Sequence, residues 1–244
     1  MKFIDESSHM KSNTDYKNAA LAALKGNWWK GVLATVIYMA IMYIAMGPYL
    51  YQTFQFQTVM TAASGTLSYP EMLAQMSKLS GYLGLYTLMM IFVIAPLSVG
   101  FFNAFRQLLV VGDREIPSNM FKIATKKYWH KVWGMFLMGL FVALWSLLFV
   151  IPGIIKVFSY AMTPFILEEN PDLTANEAID RSRAMMKGHK FDLFWLLLSF
   201  IGWAILCVFT LGIGTLWLTP YTQTSVAAFY EDVKADYEMN GGLV

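Results

Sequence analysis

Two cations in this sequence stand inside otherwise apolar runs, Arg106 and Lys156. An ionisable side chain within a membrane-spanning segment points first to a substrate, ion or proton pathway. Position supplies a second reading. Arg106 lies about two helical turns before Asp113, with Asn103 and Gln107 on its side. Lys156 follows Gly153 by three residues, about 5 Å at 1.5 Å per residue. Both long side chains can therefore snorkel to a headgroup layer or contact phosphate there. Lys156, Tyr160 and Thr163 are spaced i, i+4, i+7, so an unbroken helix sets them on one face. Such a face either lines a cavity or joins helices through hydrogen bonds of about 0.6 kcal/mol each. Thr219, Pro220, Tyr221, Gln223 and Thr224 give the last apolar run a similar polar side. Pro96, Pro164 and Pro220 are read as helix bends, and Pro164 frees a backbone carbonyl near Tyr160.

Other chemistries find no layout. The histidines, His9, His130 and His189, are far apart, and none belongs to an HExxH arrangement with two ligands on one helical face. There is no P-loop, no GxSxG elbow and no Gly-rich dinucleotide turn. Cys207 is the lone cysteine; it suits packing in an apolar run and cannot form a disulfide within this chain or a Cys-based metal site. No catalytic residue, cofactor or metal ligand is assigned, and no enzyme is expected. A net charge of +2 is too small to point to nucleic acid.

The elements that must carry these residues follow from charge distribution. Hydrophobic residues make up 57% of the 244 and charged ones 14%, against about a quarter charged in soluble domains. Charge-free runs lie between Lys30 and Glu71, Lys78 and Arg106, Lys131 and Lys156, and Asp192 and Glu231. Apolar stretches of about 18 residues or more read as membrane spans. The expectation is an all-α, polytopic membrane protein with six transmembrane helices, near 31–51, 82–111, 132–150, 154–167, 191–210 and 215–230. Cytoplasmic amphipathic helices accompany them.

The connections carry their own signals. Residues 1–30 form an N-terminal segment with an amphipathic helix at 14–27, capped by Thr14 or Asp15, with Ala19, Ala20, Ala23 and Leu24 on one side. The first 27 residues lack the apolar core of a secretory leader, so insertion is expected to begin with the first span. Residues 52–80 read as a hydrophilic insertion in which Pro70 and Glu71 open a helix. The basic 112–131 connection resembles an interfacial helix with Phe121, Ile123, Ala124, Tyr128 and Trp129 facing lipid. Pro152-Gly153 and Leu211–Gly214 form tight corners. Thr174 and Glu177 make a capping box for a helix that ends at Gly188. Glu168, Glu169 and Asp172 meet Arg181, Arg183, Lys187 and Lys190 within one segment, either as a solvated helix of mixed charge or as a surface for anionic lipid or protein. His189 reads as interfacial. Residues 231–244 read as a short charged tail.

Lysine and arginine gather in the N-terminal segment, the 112–131 and 168–190 connections and the tail, while 52–80 holds only Lys78. Cytoplasmic segments retain such residues, which places both termini in the cytoplasm. The even spans share a proline followed by a charged boundary: "APLSVGFFNAF", "TPFILEEN" and "TPYTQTSVAAFYED". Repeats of this kind occur in transporters and also in hairpins duplicated for structural reasons.

Four stretches carry a resemblance: "LKGNWWK" (24–30), "APLSVGFF" (95–102), and the long runs 144–190 and 191–233, with IPGIIK, MKGHK and LGIG in order. They resemble a family of bacterial integral membrane proteins catalogued as a domain of unknown function, the DUF975 type. The resemblance spans nearly all of the chain after residue 18 and is strongest from 144 to 233. It implies six membrane helices with buried, proline-containing even helices, in a bacterial cytoplasmic membrane, and no agreed activity. The expected role is membrane-organising or assembly-supporting. Its partners would be membrane lipids, anionic headgroups among them, and a second copy or another membrane protein. The alternative is a transporter of a small solute or lipid, with its pathway between spans two, four and six.

Overall fold

The computed structural model describes residues 10–63 and 67–241; His9 lies outside them. Every regular element among these residues is helical. Ser12 and Asp15 start the first helix, α1 (Asn13–Leu24), as a reciprocal capping box. The cap is therefore Ser12, with Asp15 three positions inside. Tyr16, Ala20 and Leu24 form the buried stripe, at i, i+4 and i+8, rather than the run through Ala19 and Ala23.

α2 (Trp28–Ala63) is 36 residues long and crosses Pro48. The expected 52–80 insertion is thus mostly helix, and only residues 64–68 separate α2 from α3 (Tyr69–Met89). The polarity of 52–63 misled because its hydroxyls are absorbed locally. Thr53, Thr58 and Thr61 each donate to the carbonyl four residues back, all at 2.9 Å. Ser68 and Glu71 cap α3, with Pro70 in its first turn as expected.

A π-helical turn, Met90–Ile94, joins α3 to α4 (Ala95–Val110). Pro96 sits in the first turn of α4, and its ring denies an intrahelical partner to the carbonyl four residues back, Phe92. The Tyr128 hydroxyl donates to that carbonyl. α5 (Ile116–Thr125) then folds back on α4 so closely that a Cβ on Gly100 would overlap the Met120 carbonyl oxygen. Ile116, Met120, Ile123 and Ala124 are buried in this contact, which corrects the expectation that Ile123 and Ala124 face lipid. Phe121 and Trp129 do remain exposed.

α6 (Tyr128–Leu148) and α7 (Val150–Ser159) form a hairpin whose corner is the extended Phe149, not Pro152-Gly153. Proline is tolerated in a helix's first turn, where Pro152 lies, and Gly153 lets α7 approach Ser146 of α6. After a turn at Tyr160–Met162 comes α8 (Thr163–Glu169), followed by α9 (Ala175–Met185) with the Thr174–Glu177 capping box in place. Gly188, at φ +98°, redirects the chain into α10 (Lys190–Leu198). A break at Ser199–Phe200 separates α11 (Ile201–Phe209), and α12 (Thr215–Met239) completes the described chain.

Five helical paths are long and apolar enough to cross a membrane: Trp28–Ala63, Tyr69–Val110, Tyr128–Leu148, Val150–Glu169 and Lys190–Phe209. The sixth expected span falls in α12, which is not among these five paths: its Thr, Gln, Ser and Tyr residues leave 215–230 too polar for that set. Buried side chains concentrate where α1, α4, α5, α8, α9 and α12 meet. α1 packs along α12, so both ends of the described chain lie at one end of the array.

Gly100→Ala forces α5 away from α4 and should destabilise the protein by about 1–3 kcal/mol, as overpacking does. Gly139→Ala, with open space around its Cβ, serves as the matched control. Thermal unfolding of both variants in detergent reads the difference; equal midpoints would contradict the close α4–α5 contact.

Candidate functional site

Arg106 on α4 donates to Glu169 at the end of α8 and to Glu231 on α12. Glu169 also accepts the Tyr230 hydroxyl and the Lys234 ammonium, the latter at 2.7 Å. The Arg106 guanidinium lies 5.4 Å from the Tyr230 ring, and Tyr230 stacks on Phe165 at 4.7 Å. One turn away, the Asn103 amide donates to the Pro164 and Val99 carbonyls, each at 2.9 Å. Arg106 therefore turns to carboxylates of two other helices, with little of its side chain exposed. It is an internal cation held by two carboxylates, a state that charges adopt away from water only when paired and hydrogen-bonded.

A second internal pair stands beside it. Lys131 of α6 is only 1% exposed and lies 2.7 Å from Glu168, while its ammonium also donates to the Lys126 carbonyl at 2.7 Å and to that of Ile123. The consecutive acids Glu168 and Glu169 are thus split between two cations from different helices. Further contacts gather on the last third of α12. Asp232 accepts from the Tyr16 hydroxyl at 2.6 Å and the Lys11 backbone N–H at 2.9 Å. His189 places its ring nitrogens 3.3 Å from Asp192 and 3.2 Å from Asp236. Burial, reinforced by the neighbouring Asp232, holds the Tyr16 hydroxyl protonated well above the ordinary tyrosine range.

These contacts correct two expectations. The acids at 168–172 do not pair within their own segment: Asp172 meets Lys127 at 2.9 Å, while Arg181 donates to the neutral Asn170 at 3.2 Å and Arg183 pairs with Asp180 at 3.0 Å. Residues 231–239 are not a tail but a helical strip whose side chains tie α1, α4, α8 and the α9–α10 turn together. Sequence reading missed Lys131, Glu231 and Lys234 as partners because they come from helices distant along the chain. Arg106 lies 63 residues from Glu169 and 125 from Glu231.

The Lys156–Tyr160–Thr163 face is divided. α7 stops at Ser159, and Pro164 starts a separate helix instead of bending a continuous one. The Tyr160 carbonyl accepts the Thr163 N–H at 3.0 Å. Ser182 of α9 seals the break: its hydroxyl donates to the Ser159 carbonyl at 3.0 Å and accepts the Met162 N–H at 3.2 Å. Thr163 turns into the core with no exposed surface. Lys156 and Tyr160 stay together, the ammonium 4.6 Å from the Trp145 ring centre and 5.7 Å from that of Tyr160. They border a cavity of about 380 Å³ between α6, α7 and α9, which Asn176, Asp180 and Arg183 also line.

The polar side expected on the last run disperses in the same way. Thr224 is buried and returns its hydroxyl to the Pro220 carbonyl at 2.8 Å. Gly31 of α2 packs against Pro220, where a Cβ would sit 3.1 Å from the proline ring. Tyr221 stands apart from Arg106, in edge contact with Trp28 and Phe200, bordering an apolar groove of about 540 Å³ beside α11. Among the described residues no group of three His, Cys, Asp or Glu side chains could hold a metal ion.

Residues 150–237 match the family model described as Protein of unknown function (DUF975). This segment is a domain of the DUF975 type. No curated protein and no solved structure matches the chain. The DUF975 segment supplies α7 to α11 and most of α12, including Glu168, Glu169, Tyr230, Glu231 and Lys234. Its two internal cations, Arg106 and Lys131, come from the helices before it.

Arg106→Met leaves Glu169 and Glu231 facing each other without their shared cation, and should cost on the order of 3 kcal/mol. Arg106→Met combined with Glu169→Gln and Glu231→Gln should recover much of that loss. Thermal unfolding of the solubilised variants checks both. A triple variant no better than the single one would contradict the assignment of the loss to uncompensated charge.

Proposed function

We propose that this protein is a non-enzymatic, six-span protein of a bacterial cytoplasmic membrane that organises or supports a membrane assembly through lipids and protein partners. The observation that carries this reading is the closed junction of α4, α8 and α12. Asn103, Phe165 and Tyr230 fill the space between the proline-containing helices, and the Arg106 cluster fastens its end. A solute or lipid pathway between these helices would have to break two ion pairs and unstack Phe165 from Tyr230. The outward helices α2, α3, α6, α7 and α11 instead present long apolar surfaces, including Ile44, Leu88, Leu147 and Phe209. Such surfaces suit lipid and partner contact.

The six-span topology draws on the position of α1 against α12. Chain ends that share one end of a bundle favour an even number of crossings, which supports reading Thr215–Tyr230 of α12 as a sixth beside the five long apolar paths. The basic residues around Arg114 and Lys126 support a cytoplasmic position for that end, since cytoplasmic segments retain such residues.

The test combines one variant background with two readouts. In Cys207→Ala protein, a single cysteine at Thr163 should resist a membrane-impermeant maleimide in native vesicles, and the purified protein in mild detergent should run as a homo-oligomer or with a bound membrane protein. Full labelling of Thr163→Cys would restore the transport reading. A lone monomer would remove the assembly role.

A further inference from the structure

Lys156 differs from the other internal cations. Arg106 and Lys131 each have carboxylate partners, whereas Lys156, among the described residues, has none. Its helix is apolar around it, with Ile154, Ile155 and Val157 exposed. Its ammonium lies between the rings of Trp145 and Tyr160, and so borders the cavity shared with α9. Cation–π contact fixes the charge there without neutralising it.

The facing wall supplies a second cation. Among the described residues Arg183 of α9 pairs only with Asp180, at 3.0 Å and with both side chains more than half exposed. A pair so solvated is weak and readily rearranged. The cavity therefore holds Lys156, Arg183 and Asp180, an excess of one positive charge, with Asn176 and the Tyr160 hydroxyl as further polar groups. At about 380 Å³ it falls within the range of small-ligand sites. Trp145 forms its outer wall, and the same hairpin exposes Leu144 and Ile155, apolar surface on which acyl chains can lie. Two cations and neutral donors below an aromatic wall suit a phosphate group carried on an apolar tail.

We propose that the cavity between α6, α7 and α9 binds the headgroup of an anionic phospholipid, with Lys156 and Arg183 contacting the phosphate. The site rests on the reading of this protein as membrane-embedded and lipid-contacting, and names the lipid class and the residues that take it. Lys156 is a binding residue here, and Asp180 a competitor for Arg183.

Delipidated protein in neutral detergent, titrated with phosphatidylglycerol or phosphatidylcholine and observed by native mass spectrometry, tests the site. Phosphatidylglycerol should bind in preference. Lys156→Gln should weaken it about tenfold, the loss of one charge-assisted contact, while Lys156→Arg restores it. Asp180→Asn, which frees Arg183 on an exposed surface and leaves the core untouched, should strengthen it, so the site stays testable even if Lys156→Gln fails to fold. Equal retention of the two lipids, or retention indifferent to both Lys156→Gln and Asp180→Asn, overturns the proposal. Displacement by millimolar inorganic phosphate alone assigns the site to a free anion and overturns the lipid. Selective lipid binding by a protein that is monomeric and partnerless would remove the assembly role and keep the site.

Discussion

One guanidinium sets the conditions for this fold. Arg106 leaves α4 where Phe101, Phe105 and Leu108 are already buried, so its charge cannot remain there alone. Glu169 and Glu231 approach from two other helices to meet it, and Tyr230 and Lys234 complete the coordination of Glu169. Three helices from distant parts of the chain are thereby fixed at one end. The buried pair Lys131–Glu168 then fixes α6 to the same corner. Such ion clusters add little net stability over a well-packed apolar core, but a missing partner is costly, so they favour one register of the helices over others. The DUF975 segment holds the carboxylates and the preceding helices hold two of the cations, which makes the segment dependent on α4 and α6.

A second constraint runs through the breaks in the long helices. In apolar surroundings, a backbone group freed from its helix must find another partner. Three breaks here have one. Tyr128 takes the carbonyl that Pro96 releases at Phe92, and Ser182 takes both a donor and an acceptor at the Ser159–Met162 break. Lys17 donates to the Ser199 carbonyl at 3.0 Å, with its ammonium 4.5 Å from the Phe200 ring centre. The short helices α1 and α9 thus act as fasteners for the breaks in the long ones. That role explains why α9, apart from its exposed edge at Asn176, Glu177, Asp180 and Arg183, is packed rather than solvated.

Much of this architecture was legible in the sequence because its signals are local. Charge-free runs located the long helices, a proline beside an acid located the helix start at Pro70-Glu71, and the Thr-x-x-Glu pattern located the one at Thr174. Errors arose where a local pattern had two outcomes. Threonines in 52–63 looked like loop residues but returned their hydroxyls to their own helix. Ile123 and Ala124 looked lipid-facing, yet Gly100 let α4 come close enough to bury them. The i, i+4, i+7 spacing of Lys156, Tyr160 and Thr163 assumed a continuous helix, and the break before Pro164 separated them. Pairings such as Arg106 with Glu231 were beyond local reading, since no spacing rule connects residues 125 positions apart.

The central claim is that α4, α8 and α12 form one closed unit secured at the Arg106 cluster, with 231–239 as part of it. Hydrogen exchange in lipid nanodiscs tests this most directly. The account predicts that amides of residues 230–237 are protected as strongly as those of 99–108 and lose protection together with them. Rapid exchange of 230–237 beside a protected α4 would show a solvated tail, and would contradict the account.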